Sequence, residues 1–352
     1  MSILSIVRKL LIGDSEYKNM KTFQKFYKEK DEKIILVSNI GSASRKYFVF
    51  GKKKNGWVED KFSIGFDEKE YYPKISLQNA FLEFFEIAKK EYGFKVSDID
   101  IIVERVVAVG PFFLQNRCID TKYIEELEKA KKYDCLHTES LLDEINKIFL
   151  IKEVCEKRKI KCKFKLVGIS DSAFHDSIKK EVYSYGVKQD KKEHLRKYGY
   201  HGISMSEVAR QFSPKFKKII AIHLGGGGSV TAIKNGKSIF NSFGMTPASG
   251  LINLTRVGDI DPFVALEIYE RKKKNFSLLE NKDFAFEGAR HEMFHESGLF
   301  AFTGERDMRD ILDNLKVKDK SVKDKNEFAL RVYLNKINEY IGSAFAHLEG
   351  ID

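Results

Sequence analysis

The sequence predicts an α/β protein with two domains, and two stretches carry that prediction. In KIILVSNIGSASRKYFVF, residues 33 to 50, a tip of small and polar residues separates two apolar β-type runs. In KKIIAIHLGGGGSVTAIKNGKSIF, residues 217 to 240, four glycines take the place of that tip. Two such units far apart in one chain indicate a duplicated fold with a phosphate-facing hairpin in each half. A length of 352 residues is sufficient for two hydrophobic cores.

The glycine run, residues 225 to 228, joins one strand to another. A P-loop or a dinucleotide-binding loop would open a helix. Here SVTAI and the dipeptide Asn235-Gly236 follow, which is typical of a strand and a type I′ hairpin turn. We therefore expect turn amides to contact any phosphate at the glycines. A flexible surface turn is the alternative for the glycine run taken by itself.

The first half starts with strands up to about residue 72 and continues with a helix and a buried strand. The helix is SLQNAFLEFFEIAKKEYGF, with Ser76 as its N-cap. Its apolar stripe at helical spacing consists of Leu77, Phe81, Phe84, Phe85 and Ala88. The strand, at about residues 100 to 109, carries the isolated Arg105, which should face an anion or a carboxylate because an unpaired buried charge is costly. An exposed strand face is the alternative.

A helix at about 139 to 157 leads to the strand KFKLVGIS, and Asp171 stands at its carboxyl end, where α/β sheets place their chemistry. After His201, Ser204 and Glu207 have the spacing of a capping box.

Arg256 comes shortly before Asp261 and Pro262, which predict the N-cap and first turn of another helix. A last helix is expected from about residue 326 to 348.

Composition limits the classes of function. The net charge of +11 favours anionic small substrates. Nucleic acid is a less favoured partner, because the lysines are spread over many segments and no zinc-finger or aromatic RNA-binding motif occurs. Four cysteines without metal spacing indicate free thiols and a cytoplasmic location. The N-terminal apolar runs are too short to span a bilayer, and residues 1 to 30 are interpreted as an appended, partly helical arm.

Eight blocks, in order from about residue 33 to the last residue, resemble those of one family. NIGSASRKY is similar to N-A-G-S-S-S-x-K-Y, ERVVAVG to H-R-V-V-H-G-G, DCLH to A-P-L-H, and DSAFH to D-T-A-F-H. KYGYHGIS is similar to R-Y-G-F-H-G-T-S, HLGGGGS to H-L-G-N-G-A-S, and TRVGDIDP to T-R-S-G-D-I-D-P. SGLFAFTGERDMRDI is similar to S-G-L-L-G-I-S-G-x-S-x-D-M-R-D-I. These are motifs of acetate kinases.

The resemblance implies two ribonuclease-H-like domains of the actin and sugar-kinase type with a cleft between them. The expected boundaries are 1 to 30 for the arm, 31 to 171 for the acyl and phosphate domain, and 172 to 352 for the nucleotide-binding domain. The implied reaction is reversible phosphoryl transfer between ATP and acetate with Mg²⁺ or Mn²⁺. The resemblance also implies a homodimer.

The resemblance further implies a role for each matching residue. Asn39 is expected at the metal, and Ser42, Ser44 and Lys46 at phosphate. The expected catalytic residues are Arg105, Asp171, His201 and Arg256. The acetate pocket would use Arg105, Val107, Leu136, Tyr200 and Pro247, in which Val107 favours acetate over propionate. The nucleotide would contact His223, Leu224, Gly225, Gly226, Gly227, Asp307, Met308 and Arg309.

Phosphoryl transfer explains this choice of residues. The charge of the loose transition state lies on equatorial oxygens, so the protein mainly positions and neutralises. Arginines with planar donors, a histidine and Mg²⁺ suit that task. Acetate is already an anion, so we expect Asp171 to position groups or to lie on the metal side rather than to accept a proton.

The sequence also departs from the family pattern. Gly226 replaces an asparagine, which leaves backbone amides as the phosphate donors, and Ala108 and Met205 replace histidines. The family continues with a glycine-rich adenosine loop and a glutamate near magnesium after a position that matches residue 352, so the second domain is expected to be incomplete. A relative that binds nucleotide or acyl phosphate with little turnover is therefore the alternative to an acetate kinase.

Overall fold

A computed structural model describes residues 33–40, 44–53, 56–65, 80–92, 94–134, 137–189, 194–275 and 283–352. The chain divides into two compact units. The first covers Met1–Ala108 and Asn116–Ser170, and the second covers Val109–Gln115 and Asp171–Asp352. The predictions made for residues 1 to 30, Ser42, Ser76, Leu77 and Leu136 lie outside the described residues.

The first unit contains a six-stranded sheet of order β3-β2-β1-β4-β6-β5. Strands β1 and β2 pair antiparallel, as do β2 and β3, whereas β4 runs parallel to both β1 and β6. The strands are β1 Ile34–Ile40, β2 Ser44–Lys53, β3 Gly56–Gly65, β4 Ile99–Val106, β5 Arg117–Cys118 and β6 Lys165–Ser170. Its helices are α1 Ala80–Tyr92, α2 Thr121–Ala130 and α3 Thr138–Lys157.

Helix α1 supplies the aromatic core of this unit. Its predicted stripe is confirmed, because Phe81, Phe84, Phe85 and Ala88 are all buried. Tyr47 of β2 stacks on Phe84 with ring centroids 4.7 Å apart. Burial of several phenyl rings on one helix face stabilises a helix that propensity alone would not.

The second unit contains an antiparallel sheet of order β7-β8-β9, formed by Lys218–Leu224, Gly228–Lys234 and Lys237–Asn241. The prediction that the glycines join strand to strand is confirmed, since β7 ends at Leu224 and β8 begins at Gly228. The type I′ turn is also confirmed, because Asn235 and Gly236 have φ angles of 52° and 76°.

Helices surround that sheet. They are α4 Lys180–Tyr183, α5 Gly202–Phe212, α6 Pro262–Asn275, α7 Asp283–His291, α8 Gly298–Thr303, α9 Met308–Asn314 and α10 Lys320–Leu348. Helix α10 packs its buried face, including Ala329 and Tyr333, against Val230 and Ala232 of β8. It begins earlier than the predicted residue 326, because the Asp319 carboxylate caps it by accepting from the amides of Ser321 and Val322. None of the helices within the described ranges is long and apolar enough to cross a membrane.

Candidate active site

The first unit places three predicted site residues on one face of its sheet. Asn39 of β1 and Lys46 of β2 are direct partners in the antiparallel register, so their side chains share a face. Arg105 of β4 reaches the same face, where its Nη1 donates to the Asn39 amide oxygen at 3.0 Å. Arg105 is half-buried and Lys46 is exposed. One partner of the guanidinium is thus an amide oxygen, and the predicted anion or carboxylate partner stays a prediction.

The opposite face of the same strands contains a buried carboxylate that sequence reasoning missed. Glu144 of α3 is buried and accepts hydrogen bonds from the Ser38 and Tyr47 hydroxyls, the second at 2.9 Å. Ser38 and Tyr47 flank Asn39 and Lys46 in sequence, so this network fixes the strands that carry both. The sequence feature that indicates a buried carboxylate is a glutamate within the largely apolar helix segment LLDEINKIFLI.

Asp171 opens the second unit directly after β6, where it is buried. Its carbonyl oxygen accepts from the Gly202 amide at 2.7 Å. A Cβ on Gly202 would collide with that same carbonyl, which explains why glycine follows His201. The backbone contact therefore connects Asp171 to the start of α5.

His201 stands immediately before α5 in the left-handed region, with φ 62° and ψ 19°. A left-handed non-glycine residue is costly and persists only where its surroundings determine it. Its Nδ1 lies 3.0 Å from Ser229 Oγ, and its ring stacks on that of His223 at 4.1 Å between centroids. The edge of its ring meets Phe243 at 5.0 Å. These contacts on several sides fix the imidazole.

His175 holds the backbone just before His201, and sequence reasoning did not find this role. It is fully buried, with Nε2 2.9 Å from the Tyr200 carbonyl oxygen and Nδ1 2.8 Å from Ser238 Oγ. A carbonyl oxygen only accepts, so Nε2 carries the proton and Ser238 donates to Nδ1. Burial lowers the pKa of His175 to about 4, so the ring is neutral at pH 7.

The glycine loop, Gly225–Gly228, lies against both His201 and Arg256. A Cβ on Gly227 would be 3.2 Å from Arg256 Nη1 and 3.5 Å from His201 Nε2. Arg256 is buried, and its Nη1 donates to the Pro247 carbonyl oxygen at 3.2 Å. The missing side chain at Gly227 is what allows a guanidinium and an imidazole to approach the loop backbone together.

A sequence profile of the acetokinase family matches residues 34–352. The chain belongs to this family. It is 33% identical over 335 residues to the acetate kinase of Mycoplasma genitalium, an alignment that covers 90% of this chain and 78% of that protein.

Solved acetokinase structures have the same fold. An acetate kinase from Porphyromonas gingivalis superposes with a TM-score of 0.64 at 26% identity, covering 91% of this chain and 81% of the other. A propionate kinase from Francisella tularensis gives a TM-score of 0.65 at 24% identity, with coverages of 90% and 80%. The predicted two-domain fold of the actin type is confirmed by these neighbours.

Within this acetokinase chain, the residues predicted for the acetate pocket lie in both units. Val107 is buried in the first unit. In the second, the Tyr200 hydroxyl donates to the Met245 carbonyl oxygen at 2.6 Å, and Pro247 contacts Arg256 through its carbonyl. The Tyr200 hydroxyl is therefore hydrogen-bonded to the backbone.

The residues predicted near adenosine lie at the start of α9. The Asp307 carboxylate caps this helix by accepting from the Arg309 amide at 2.7 Å, and it also pairs with the Arg309 guanidinium. Met308 packs partly against the core of the second unit. The role of these residues near adenosine stays a prediction.

The predicted capping box at α5 is wrong. The N-cap position belongs to His201, which makes no side-chain cap hydrogen bond. Ser204 lies inside the first turn, where its Oγ is 3.2 Å from His223 Nδ1, and Glu207 pairs with Arg210. The left-handed backbone at His201 starts the helix earlier than the Ser204 signal indicates.

Proposed function

We propose that this protein is an acetate kinase that transfers a phosphoryl group reversibly between ATP and acetate. The close approach of Arg256 and His201 to the glycine loop at Gly227 carries the proposal. Turn amides next to a guanidinium can bind a polyphosphate, and they can stabilise the negative charge on the phosphoryl group during transfer. The family to which the chain belongs supports carboxylate as the acceptor.

In the proposed reaction, a carboxylate oxygen of acetate attacks the γ-phosphorus. The bond from phosphorus to the bridging oxygen of ADP breaks, and ADP keeps the electron pair. Neither step needs a proton from the enzyme, because acetate is an anion at neutral pH. Arg105 would orient the acetate carboxylate, while Arg256 and the His201 imidazole would stabilise charge on the equatorial oxygens.

Magnesium fits the donors that the chain offers. The described residues contain no cluster of three or more histidine, cysteine or acidic side chains suited to a metal. Mg²⁺ is commonly held by one or two protein oxygens together with substrate phosphates and water. The first unit offers the Asn39 amide oxygen and the second offers the Asp171 carboxylate, and each is a hard oxygen donor of the type that would suit the ion. When bound, the ion would neutralise charge on the phosphate oxygens.

The predicted acetate pocket favours a short acid. Val107 and Pro247 are apolar and buried, and the Tyr200 hydroxyl is occupied by the Met245 carbonyl oxygen, so the side chain offers mainly its ring. One extra methylene changes discrimination by roughly 10–200-fold in such pockets. We propose acetate in preference to propionate, which a comparison of kcat/KM for the two acids tests directly.

Hydroxamate trapping of acetyl phosphate with ATP, Mg²⁺ and acetate tests the reaction. Arg105→Ala and Arg256→Ala should each lower kcat/KM by at least about 100-fold, since each removes a charged donor to the reacting group. The matched control is Arg210→Ala, because Arg210 is an exposed arginine of the second unit that pairs with Glu207. Its kcat/KM should stay within about twofold of the starting protein.

A different result would redirect the assignment. Calorimetric binding of ATP without acetyl phosphate formation would support the alternative, a nucleotide-binding relative with little turnover. Unchanged activity in Arg256→Ala would contradict the proposed site even if turnover occurs. A homodimer and a cytoplasmic location are proposals of the same kind, and light scattering of the purified protein tests the first.

A further inference from the structure

The glycine loop needs an external anchor. Four consecutive glycines lose more conformational entropy on ordering than any other four residues. They also have no side chains that could make stabilising contacts. Within the loop, the Gly225 amide donates to the Gly227 carbonyl oxygen at 3.0 Å. The closing residue, Gly228, instead donates its amide to the side chain of Asn253, at 2.5 Å from Oδ1.

Asn253 belongs to the turn that carries Arg256. Its amide donates to the Arg256 carbonyl oxygen at 3.2 Å, and its own carbonyl accepts from Leu299 at 3.0 Å. Gly298, with φ 66°, lets the next helix approach so closely that a Cβ there would lie 3.0 Å from the Arg256 amide nitrogen. One short turn thus holds the arginine and, through Asn253, the end of the glycine loop.

Little space is left around the α-carbon of Gly228. A Cβ on Gly228 would lie 3.3 Å from both Tyr333 Oη and Leu251 Cδ1, and 3.4 Å from Asn253 Oδ1. The contacts with Tyr333 Oη and Leu251 Cδ1 are tighter than ordinary van der Waals contacts, and the one with Asn253 Oδ1 is ordinary. An alanine there would therefore press on Tyr333 and Leu251, whereas the hydrogen bond from the Gly228 amide is what connects this residue to Asn253.

Asn253 is poorly suited to a purely stabilising role. It is 2% exposed, and its Nδ2 has no hydrogen-bond partner among the described residues. A buried donor without a partner opposes folding. The orientation of the amide is nevertheless determined, because only Oδ1 can accept from the Gly228 amide.

We propose that Asn253 is a positioning residue that fixes the glycine loop relative to Arg256, so that loop amides and guanidinium meet the nucleotide phosphates together. This inference rests on the proposed function. The residue acts through the loop, so its loss should weaken the use of ATP and leave the use of acetate unchanged.

Steady-state kinetics of Asn253→Leu test the proposal. Leucine has nearly the same size and removes the acceptor oxygen. We expect KM for ATP to rise at least about fivefold, while KM for acetate stays within about twofold. Asn253→Asp keeps an acceptor oxygen at the same place and should restore KM for ATP to within about threefold of the starting protein.

Asn326→Leu is the matched control. Asn326 is also a buried asparagine of the second unit, with Nδ2 bonded to the Val322 carbonyl oxygen at 2.8 Å and Oδ1 without a partner among the described residues. It should lower the melting temperature at least as much as Asn253→Leu and leave KM for ATP unchanged. Equal rises of KM for ATP in both leucine variants would assign the effect to general destabilisation and overturn the proposal.

Hydrogen exchange separates this inference from the proposed function. In the full chain, exchange of the peptide covering residues 223 to 230 should be at least about tenfold faster in Asn253→Leu than in the starting protein or in Asn326→Leu, since the Gly228 amide loses its acceptor. This measurement requires no turnover. If the protein lacks kinase activity but the exchange differs as expected, only the proposed function fails. Equal exchange in all three proteins would refute the anchor itself.

Discussion

The hairpins of the two units share one layout and differ in how they are held. The β1–β2 hairpin is held through side chains of its own strands, because the Ser38 and Tyr47 hydroxyls donate to the buried Glu144 of α3. The β7–β8 hairpin has no side chains at Gly225–Gly228 and is held by residues that lie 20 or more positions away in sequence, Asn253 and His201 among them. The first hairpin is therefore held through its own side chains, whereas the glycine loop of the second has none and is held by residues from other segments.

This difference determines which substitutions each hairpin tolerates. In the first unit, alternation along the strands separates a buried face from the face that carries Asn39 and Lys46. Removing a buried polar group should therefore cost stability. In the second unit, the loop is the point of closest approach for Arg256 and His201, so adding even one methyl group should cost function.

Among the substitutions that test the contrast between the two hairpins, Gly227→Ala should have the largest effect on activity. The new Cβ would lie 3.2 Å from Arg256 Nη1, so the guanidinium must shift by a few tenths of an ångström, whereas its distance of 3.5 Å from His201 Nε2 is an ordinary contact. Displacement of this kind reduces catalysis steeply, and we expect kcat for acetyl phosphate formation to fall by about 10–100-fold. The melting temperature should change little, because the guanidinium end can move.

The control for this substitution is Gly186→Ala. Gly186 is an exposed glycine of the same unit, and a Cβ there would meet no atom within 4 Å. It should leave kcat unchanged. A Gly227→Ala protein with the kcat of Gly186→Ala would show that the loop and Arg256 do not act at one place.

An effect on stability, with no direct effect on the reaction, is expected for Glu144→Ala in the first unit. The change leaves the Ser38 and Tyr47 hydroxyls buried without their acceptor, and it also opens a cavity. We expect the free energy of unfolding of this unit to fall by about 2–4 kcal/mol. Urea unfolding followed by circular dichroism measures this loss.

Glu125→Ala serves as the control, because Glu125 is an exposed glutamate on α2 of the same unit. Its effect should be within about 0.5 kcal/mol. Equal stability of the two variants would mean that Glu144 stabilises the protein no more than a surface carboxylate does. The proposal that buried side chains hold the β1–β2 hairpin would then be wrong.

Local patterns in the sequence predicted much of the fold and part of the site. The Asn235-Gly236 turn, the strand-to-strand glycine loop and the apolar stripe of α1 are each determined by residues close together in sequence, and each is confirmed. The α6 start is confirmed for the same reason, since the Asp261 carboxylate accepts from the Phe263 amide at 2.8 Å.

The remaining features depend on contacts between distant segments. Glu144 reaches Ser38 across 106 positions, and Asn253 reaches Gly228 across 25. No spacing rule within a helix or strand encodes such pairs. The capping-box prediction failed for a related reason, because the left-handed His201 is fixed by Ser229 and His223 from other strands and not by its neighbours.

The smallest effect concerns the pH dependence of the second unit, which contains the buried His175. The pKa of His175 is lowered to about 4 by burial, against about 6.5 in the unfolded chain. Between these values the unfolded state binds more protons, so stability falls as the pH drops from about 6.5 towards 4.

Replacement by glutamine should remove this dependence, because a glutamine can still donate to the Tyr200 carbonyl oxygen but cannot titrate. The wild-type free energy of unfolding, followed by circular dichroism in urea, should lose up to about 2 kcal/mol more than that of His175→Gln between pH 7 and 5. His194→Gln, at an exposed histidine, should keep the wild-type dependence. An identical slope in His175→Gln and wild type would mean that folding does not lower the pKa of the His175 ring. The pH dependence of the second unit would then have to come from other groups.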